Sequence, residues 1–176
     1  TGQEKVQRFF DPLLHGFTHV AFNDVEALRA AITPQTCAVM LEPIQGEGGV
    51  NIHDAEYLTA VRELCDQYNL LLILDEVQVG MGRTGKLFAH EHFGVTPDIM
   101  TLAKALAGGA PIGAMLARDA VATAFTPGTH GSTFGGNPLV TAAALASIRV
   151  ILEEGLINRA EEMGDYLNSE LEAIWR

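Results

Sequence analysis

Apolar and polar positions along this chain follow two periods in alternation. "TCAVMLEP" (36–43) and "LLLILDEV" (70–77) are unbroken apolar runs closed by a proline or by acids, as expected of buried parallel strands. Between them, "DAEYLTAVRELCDQY" (54–68) puts Leu58, Val61, Leu64, Cys65 and Tyr68 on one helical face, with Asp54 as its cap. Upstream, "FTHVAF" (17–22) is strand-like, and Asn23 with Glu26 three residues on opens the helix "DVEALRAAI". Downstream, "DIMTLAKAL" (98–106) and "IGAMLAR" (112–118) are shorter strand-like runs. Asn137 and Pro138 supply the cap and first-turn residue of a long helix reaching Glu154, and a second helix fills 156–175 after the break at Gly155. Strands alternating with helices predict an α/β fold with a mostly parallel sheet flanked by helices. Its ligands should gather at the C-terminal ends of the strands.

Composition narrows the chemistry. The 176 residues are 48% hydrophobic and 19% charged, enough for one domain with a real core. A net charge of −11 argues against a nucleic-acid surface, which needs clustered Lys and Arg. No apolar run is long enough to span a bilayer and no signal-peptide pattern opens the chain, so a cytoplasmic protein is expected. Cys37 and Cys65 sit in apolar settings and read as buried free thiols of a reducing compartment. The six histidines show no metal-ligand spacing, and those of "HEH" (90–92) read as surface or packing residues, so no metal is expected. The chain starts without Met in a polar run and ends at "LEAIWR" inside a helical pattern, so it reads as part of something larger.

The segment "LLLILDEVQVGMGRTGK" (70–86) carries three overlapping phosphate-binding signatures. The P-loop reading fails because Leu87 stands where a Mg²⁺-binding Ser or Thr belongs, and because Asp75–Val79 separates the strand from the glycines. The dinucleotide reading fails because Asp98 comes too early and lies at a strand's start, not its end. Gly80, Gly82 and Gly85 are therefore expected to form a tight loop.

Two charges remain. Asp75 closes a buried strand, where an unpaired carboxylate is costly; it could cap a turn, pair with Arg83, or serve chemistry. Lys104, in "TLAKALAGGAPIG", is either snorkelling to solvent or chemically employed. An acid and a lysine at the ends of separate strands in one sheet suit pyridoxal 5'-phosphate: the amine forms a Schiff base with the aldehyde, and the carboxylate keeps the ring nitrogen protonated. The phosphate needs donors, and "HGSTFGGNP" (130–138) offers Ser132, Thr133 and a helix N-terminus; alone, the same stretch is equally an ordinary glycine-rich helix start.

"EPIQGEGG" (42–49), "LDEVQVGMGRTG" (74–85), "PDIMTLAKALAGGAPIGA" (97–114) and "HGSTFGGNP" (130–138) together resemble the ornithine-type, class III aminotransferases, most closely the acetylornithine and succinylornithine branch. The resemblance covers essentially the whole chain. It implies that Lys104 is the Schiff-base lysine and proton carrier, that Asp75 faces the ring nitrogen, that Val77 packs on the ring, and that Gln78 bonds its phenolic oxygen, with Glu76 beside them in the cofactor-binding segment. Thr133 would bind the cofactor phosphate of a neighbouring subunit, which implies a homodimer, and Ser132 would lie near substrate. Glu47 matches a glutamate that masks a substrate-binding arginine, and Glu42 would be a supporting carboxylate at the substrate site. The implied partners are a small amino donor and 2-oxoglutarate, the donor being N-acetylornithine, or alternatively ornithine, succinylornithine or 4-aminobutyrate.

Val79 stands where the family usually has Thr, a mild departure. The larger departures are the upstream phosphate loop and the C-terminal small domain with its arginine, neither of which these residues supply. Residues 1–154 would then be a partial cofactor-binding large domain, and 155–176 a helix leading to the small domain. A non-catalytic folding unit or interaction domain is the rival reading, and little turnover is expected of these residues alone.

Overall fold

Along "LLILD" alternate side chains leave for opposite faces, and the two at even positions, Leu72 and Leu74, are completely buried. That alternation places the rest of the molecule. The computed structural model describes residues 2–175. In chain order these form α1 (Glu4–Gln7), α2 (Val25–Ala31), β1 (Ala38–Leu41), β2 (Ile44–Gln45), β3 (Asn51–Ile52), α3 (Tyr57–Tyr68), β4 (Leu71–Asp75), β5 (Ile99–Leu102), β6 (Ala114–Ala117), α4 (Asp119–Ala122), α5 (Pro138–Glu153) and α6 (Leu156–Trp175), with 3₁₀ turns at Ala89–Phe93 and Lys104–Ala107. The main sheet has the order β1-β4-β5-β6, and β2 and β3 form a separate small hairpin. β1, β4 and β5 run parallel, as the alternation of strand and helix predicts, while β6 returns antiparallel to β5.

Two cores lie side by side on one face of this sheet. Leu58, Val61, Leu64 and Cys65 of α3 close over Leu72 and Leu74, and Leu28 of α2 joins them. Met100 and Leu102 of β5 pack with Leu106, Ala107, Met81 and Ala144 of α5. A buried leucine of this kind is worth about 2–5 kcal/mol against alanine, so Leu72 and Leu74 anchor the strand that carries Asp75. The opposite face, with Ile73, Thr101 and Met115, is more open, and Met40 there is 58% exposed. No helix of the described residues is long and apolar enough to cross a membrane.

Several expectations are corrected. "FTHVAF" forms no strand: it meets no partner strand among the described residues, and Phe17 stays exposed. The cap of α2 is Asp24, whose carboxylate accepts from the Ala27 amide at 2.7 Å, not Asn23, whose φ of 59° takes it out of cap geometry. Asp54 does not cap α3 with its side chain; its carbonyl accepts from the Tyr57 amide, and the helix starts after Glu56. Tyr68, at the end of α3, is exposed, as is Cys37, which stands just ahead of β1. Cys65 is buried as expected, and burial pushes its thiol up to about 11. Asn137 caps α5 as predicted, accepting from the amides of Leu139 and Val140.

The start of β5 is held by a residue that sequence reasoning set aside. Asp98 donates its amide to the Leu72 carbonyl at 2.9 Å, and its carboxylate accepts from the Leu72 amide at 2.8 Å. The same carboxylate takes Arg62 of α3 at 2.8 Å and Arg118 beyond β6 at 3.0 Å. Burial raises the Asp98 pKa, but the Leu72 amide and the two guanidiniums outweigh it and hold the group below its ordinary value. Asp98→Ala is therefore expected to lower stability by about 1–3 kcal/mol in urea unfolding, because the buried Leu72 amide loses its acceptor while Arg62 keeps Asp66. Arg118→Ala should cost under about 1 kcal/mol, since its side chain is 65% exposed. Folding favours the charged Asp98, so its contribution is complete above the ordinary value of 3.8 and is lost as pH falls below it.

Candidate active site

Asp75 is the last residue of β4, and the register Asp75↔Thr101 sets it beside β5 on the open face of the sheet. β5 ends at Leu102, and two residues later Lys104 begins a 3₁₀ turn with φ of 42°. For a non-glycine residue that conformation is uncommon, and it clusters at functional positions. The Asp75 carboxylate accepts from the Val77 amide at 2.9 Å, which turns the chain off the strand. Among the described residues it forms no ion pair with Arg83. Past that turn, the Gln78 side-chain oxygen accepts a hydrogen bond from the exposed Lys104 amine. Asp75 ends β4 and Lys104 follows the end of the neighbouring β5, so both residues stand at the C-terminal edge of the sheet.

The β2–β3 hairpin closes this edge from the side. The Glu42 carboxylate accepts from the Gly46 amide at 3.0 Å, and a side chain at position 46 would overlap Gln78. Behind it, His53 Nε2 donates to the Glu42 carbonyl at 3.0 Å, its ring stacked between Phe22 and Tyr57. Desolvation lowers the His53 pKa, against the pull of the Glu42 carbonyl and the carboxylates of Asp54 and Glu42. Glu42 is half-buried, with one carboxylate oxygen engaged inside its own loop against the Gly46 amide. Glu47 is exposed on the same hairpin and forms no ion pair among the described residues.

Glu76 points away from the Asp75–Lys104 edge. Its side chain is fully buried and accepts from the Ala89 amide at 2.9 Å, the His90 amide at 2.8 Å and His90 Nδ1 at 3.0 Å. Both oxygens fasten the 75–80 loop to the segment after it. "HEH" is packing, as read, with His90 on Glu76 and His92 Nε2 2.9 Å from the Thr84 carbonyl. The glycines of the false fingerprint permit close approach. A Cβ at Gly80 would stand 2.8 Å from the Glu76 carbonyl, and one at Gly85 would stand 2.9 Å from Glu161 of α6.

Ser132 and Thr133 lie on an exposed loop ahead of α5, with Ser132 Oγ accepting from the Gly135 amide at 2.9 Å. This loop is not brought against Lys104. It borders a groove shared with Ile112, Phe134 and Val140. A ring with a basic nitrogen, an aldehyde and a phosphate fits the groups present: one Asp75 oxygen has no partner among the described residues, and the Thr101 hydroxyl beside it is buried and unpartnered. Gln78, Lys104 and the Thr133 hydroxyl are reachable from outside.

The chain matches the aminotransferase class-III family over residues 1–176. It belongs to that family. It is 56% identical to the acetylornithine aminotransferase of Methanocaldococcus jannaschii over 174 residues, which is 99% of this chain and 44% of the relative. It is 55% identical to that of Neisseria meningitidis serogroup B over 97% of this chain and 43% of the relative. Class-III neighbours among solved structures include the ornithine aminotransferase of Toxoplasma gondii, in which PLP partly occupies the active site, at a TM-score of 0.92 and 44% identity over 97% of this chain and 40% of that one. Another is the acetylornithine aminotransferase of Elizabethkingia anophelis, at 0.85 and 45% over 90% and 40%. This class-III chain thus spans less than half the length of the curated relatives it matches.

Sequence reasoning missed His53, Thr101 and the buried use of Glu76, none of which has a spacing signal; Gly46 was visible only within its motif. Glu76→Ala leaves two buried amides without acceptors and is expected to lower stability by about 3 kcal/mol in chemical denaturation. Folding favours neutral His53, so stability should fall as pH drops below 6.5, and His53→Gln should flatten that part of a melting-temperature profile.

Proposed function

We propose that this chain is the cofactor-handling part of an aminotransferase that moves the δ-amino group of N-acetylornithine to 2-oxoglutarate, in arginine biosynthesis. The observation that carries the reading is the meeting of Lys104 with Gln78 at the strand edge that Asp75 closes. Pyridoxal phosphate, when bound, supplies an aldehyde for an amine and a ring that accepts electrons from the substrate carbon.

The residues divide that work. Lys104 provides the nucleophilic amine and, once freed, carries the proton to and from the substrate carbon. Asp75 holds the proton on the ring nitrogen, because an opposite charge at hydrogen-bond distance favours the charged form. Val77 would lie against one face of the ring, and the Gln78 amide nitrogen would be the donor for its phenolic oxygen. Thr133, exposed and away from its own Lys104, serves the phosphate of a neighbouring subunit in a homodimer, with Ser132 beside substrate. Glu47, exposed on its hairpin, masks a substrate-binding arginine. Residues 1–154 act as the cofactor domain and 155–176 as the helix leading out of it, in a cytoplasmic enzyme.

The names of the relatives support N-acetylornithine as donor, and the ornithine aminotransferases among the solved structures favour free ornithine as the second reading. Succinylornithine and 4-aminobutyrate are the remaining alternatives.

The chain has three lysines, Lys5, Lys86 and Lys104, which makes the test direct. Pyridoxal phosphate followed by borohydride should label Lys104 above the other two, and Lys104→Ala should abolish that label. Equal labelling of all three contradicts the reading.

A further inference from the structure

Three contacts run in series from Glu42 to the Lys104 amine. Glu42 Oε2 accepts from the Gly46 amide at 3.0 Å. Gly46 lies flat against Gln78, so that a Cβ there would overlap Gln78 Cγ and stand 3.0 Å from Gln78 Cβ. Gln78 Oε1 accepts from Lys104 Nζ. Glu42 is itself fixed from behind, where His53 Nε2 holds its carbonyl at 3.0 Å. Gly46 is outside the left-handed region, so its missing side chain answers to the approach of Gln78 and not to backbone conformation.

We propose that Glu42 and Gly46 are positioning residues that seat the Gln78 amide against the Lys104 amine. The proposal rests on the reading of Lys104 as the carbonyl-reactive amine. A lysine amine sits on a flexible four-carbon stem and carries three donors. A neutral amide oxygen takes one of those donors and fixes the direction of the stem without adding charge, whereas a carboxylate there would favour the ammonium form, which has no lone pair for attack. An acceptor on a loop does this only while the loop is held in place. The Glu42 carboxylate fixes the surface that backs Gln78, by closing the Glu42–Gly46 turn on the Gly46 amide. Glu47, one residue further along the same hairpin, is exposed and outside this series.

The full 176-residue chain is treated with pyridoxal phosphate and borohydride, and the label is quantified on Lys104, Lys86 and Lys5, with a melting curve for each variant. Gly46→Ala and Gln78→Ala should each lower the Lys104 share about tenfold relative to the other two lysines, the upper end of what one neutral hydrogen bond contributes. The double variant should be no worse than either alone, because Gly46 acts only through Gln78. Glu42→Ala should fall in the same direction, and Glu42→Gln should restore the label, since its amide oxygen can accept from Gly46. If Gly46→Ala unfolds the chain, the double variant restores folding by removing the Cγ overlap and leaving only the 3.0 Å contact with Cβ, which a shift of a few tenths of an ångström relieves. Wild-type labelling in Gly46→Ala, multiplied losses in the double variant, a failed rescue of folding, or equal losses in Glu42→Ala and Glu42→Gln each overturn the positioning series while leaving Lys104 as the reactive amine. A wild-type chain with no preference for Lys104 overturns the cofactor reading and the series with it.

Discussion

Asp98 fixes the register of β4 against β5, and the candidate site depends on that register. Its amide and carboxylate clasp both polar groups of Leu72, its carbonyl accepts from Arg118, and its carboxylate draws Arg62 in from α3. A parallel strand slipped by one residue turns every side chain to the other face. The Asp98 clasp at the N-terminal end of β5 therefore decides what meets at the C-terminal end. There Asp75 stands opposite Thr101, and Lys104 follows within one turn.

Rigidity at this edge comes from several small devices working on different sides. Leu72 and Leu74 seat β4 on α3, and Glu76 fastens the following loop to the Ala89–Phe93 turn through three donors. The hairpin carrying Gly46 supports Gln78, and His53 supports the hairpin. Glycines stand where a Cβ would collide, at Gly80 against Glu76 and at Gly85 against Glu161, so α6 can come down on the loop. A carboxylate and an amine held by such neighbours keep their separation without depending on each other. That is the condition for gripping one small ring from two ends.

Much of this was legible in the sequence. Unbroken apolar runs marked the parallel strands, and Asn137 with Pro138 marked the start of α5, because those signals arise within a few residues of one another. The placement of Asp75 and Lys104 at the ends of neighbouring strands was legible from the apolar runs that precede them. What escaped depends on neighbours distant in the chain. "FTHVAF" has strand composition but meets no strand, Met40 lies in an apolar run whose second face is open, and Cys37 stands exposed just ahead of β1 while Cys65 is buried between α3 and the sheet. Asp98 was weighed only as a ligand for a ribose and dismissed, whereas its partners Leu72, Arg62 and Arg118 become visible only when the sheet is assembled. Glu76 sits beside Asp75 in sequence, but strand alternation sends the two carboxylates to opposite sides.

The central claim is that Asp75 and Lys104 address opposite poles of one aromatic ring. Nitrogen NMR of the chain carrying pyridoxal phosphate labelled with ¹⁵N in the ring, fixed on Lys104 by borohydride, reads this directly. A protonated ring nitrogen at neutral pH in the wild type, and a neutral one after Asp75→Ala, is the predicted result. A ring nitrogen whose protonation is the same with and without Asp75 contradicts the account.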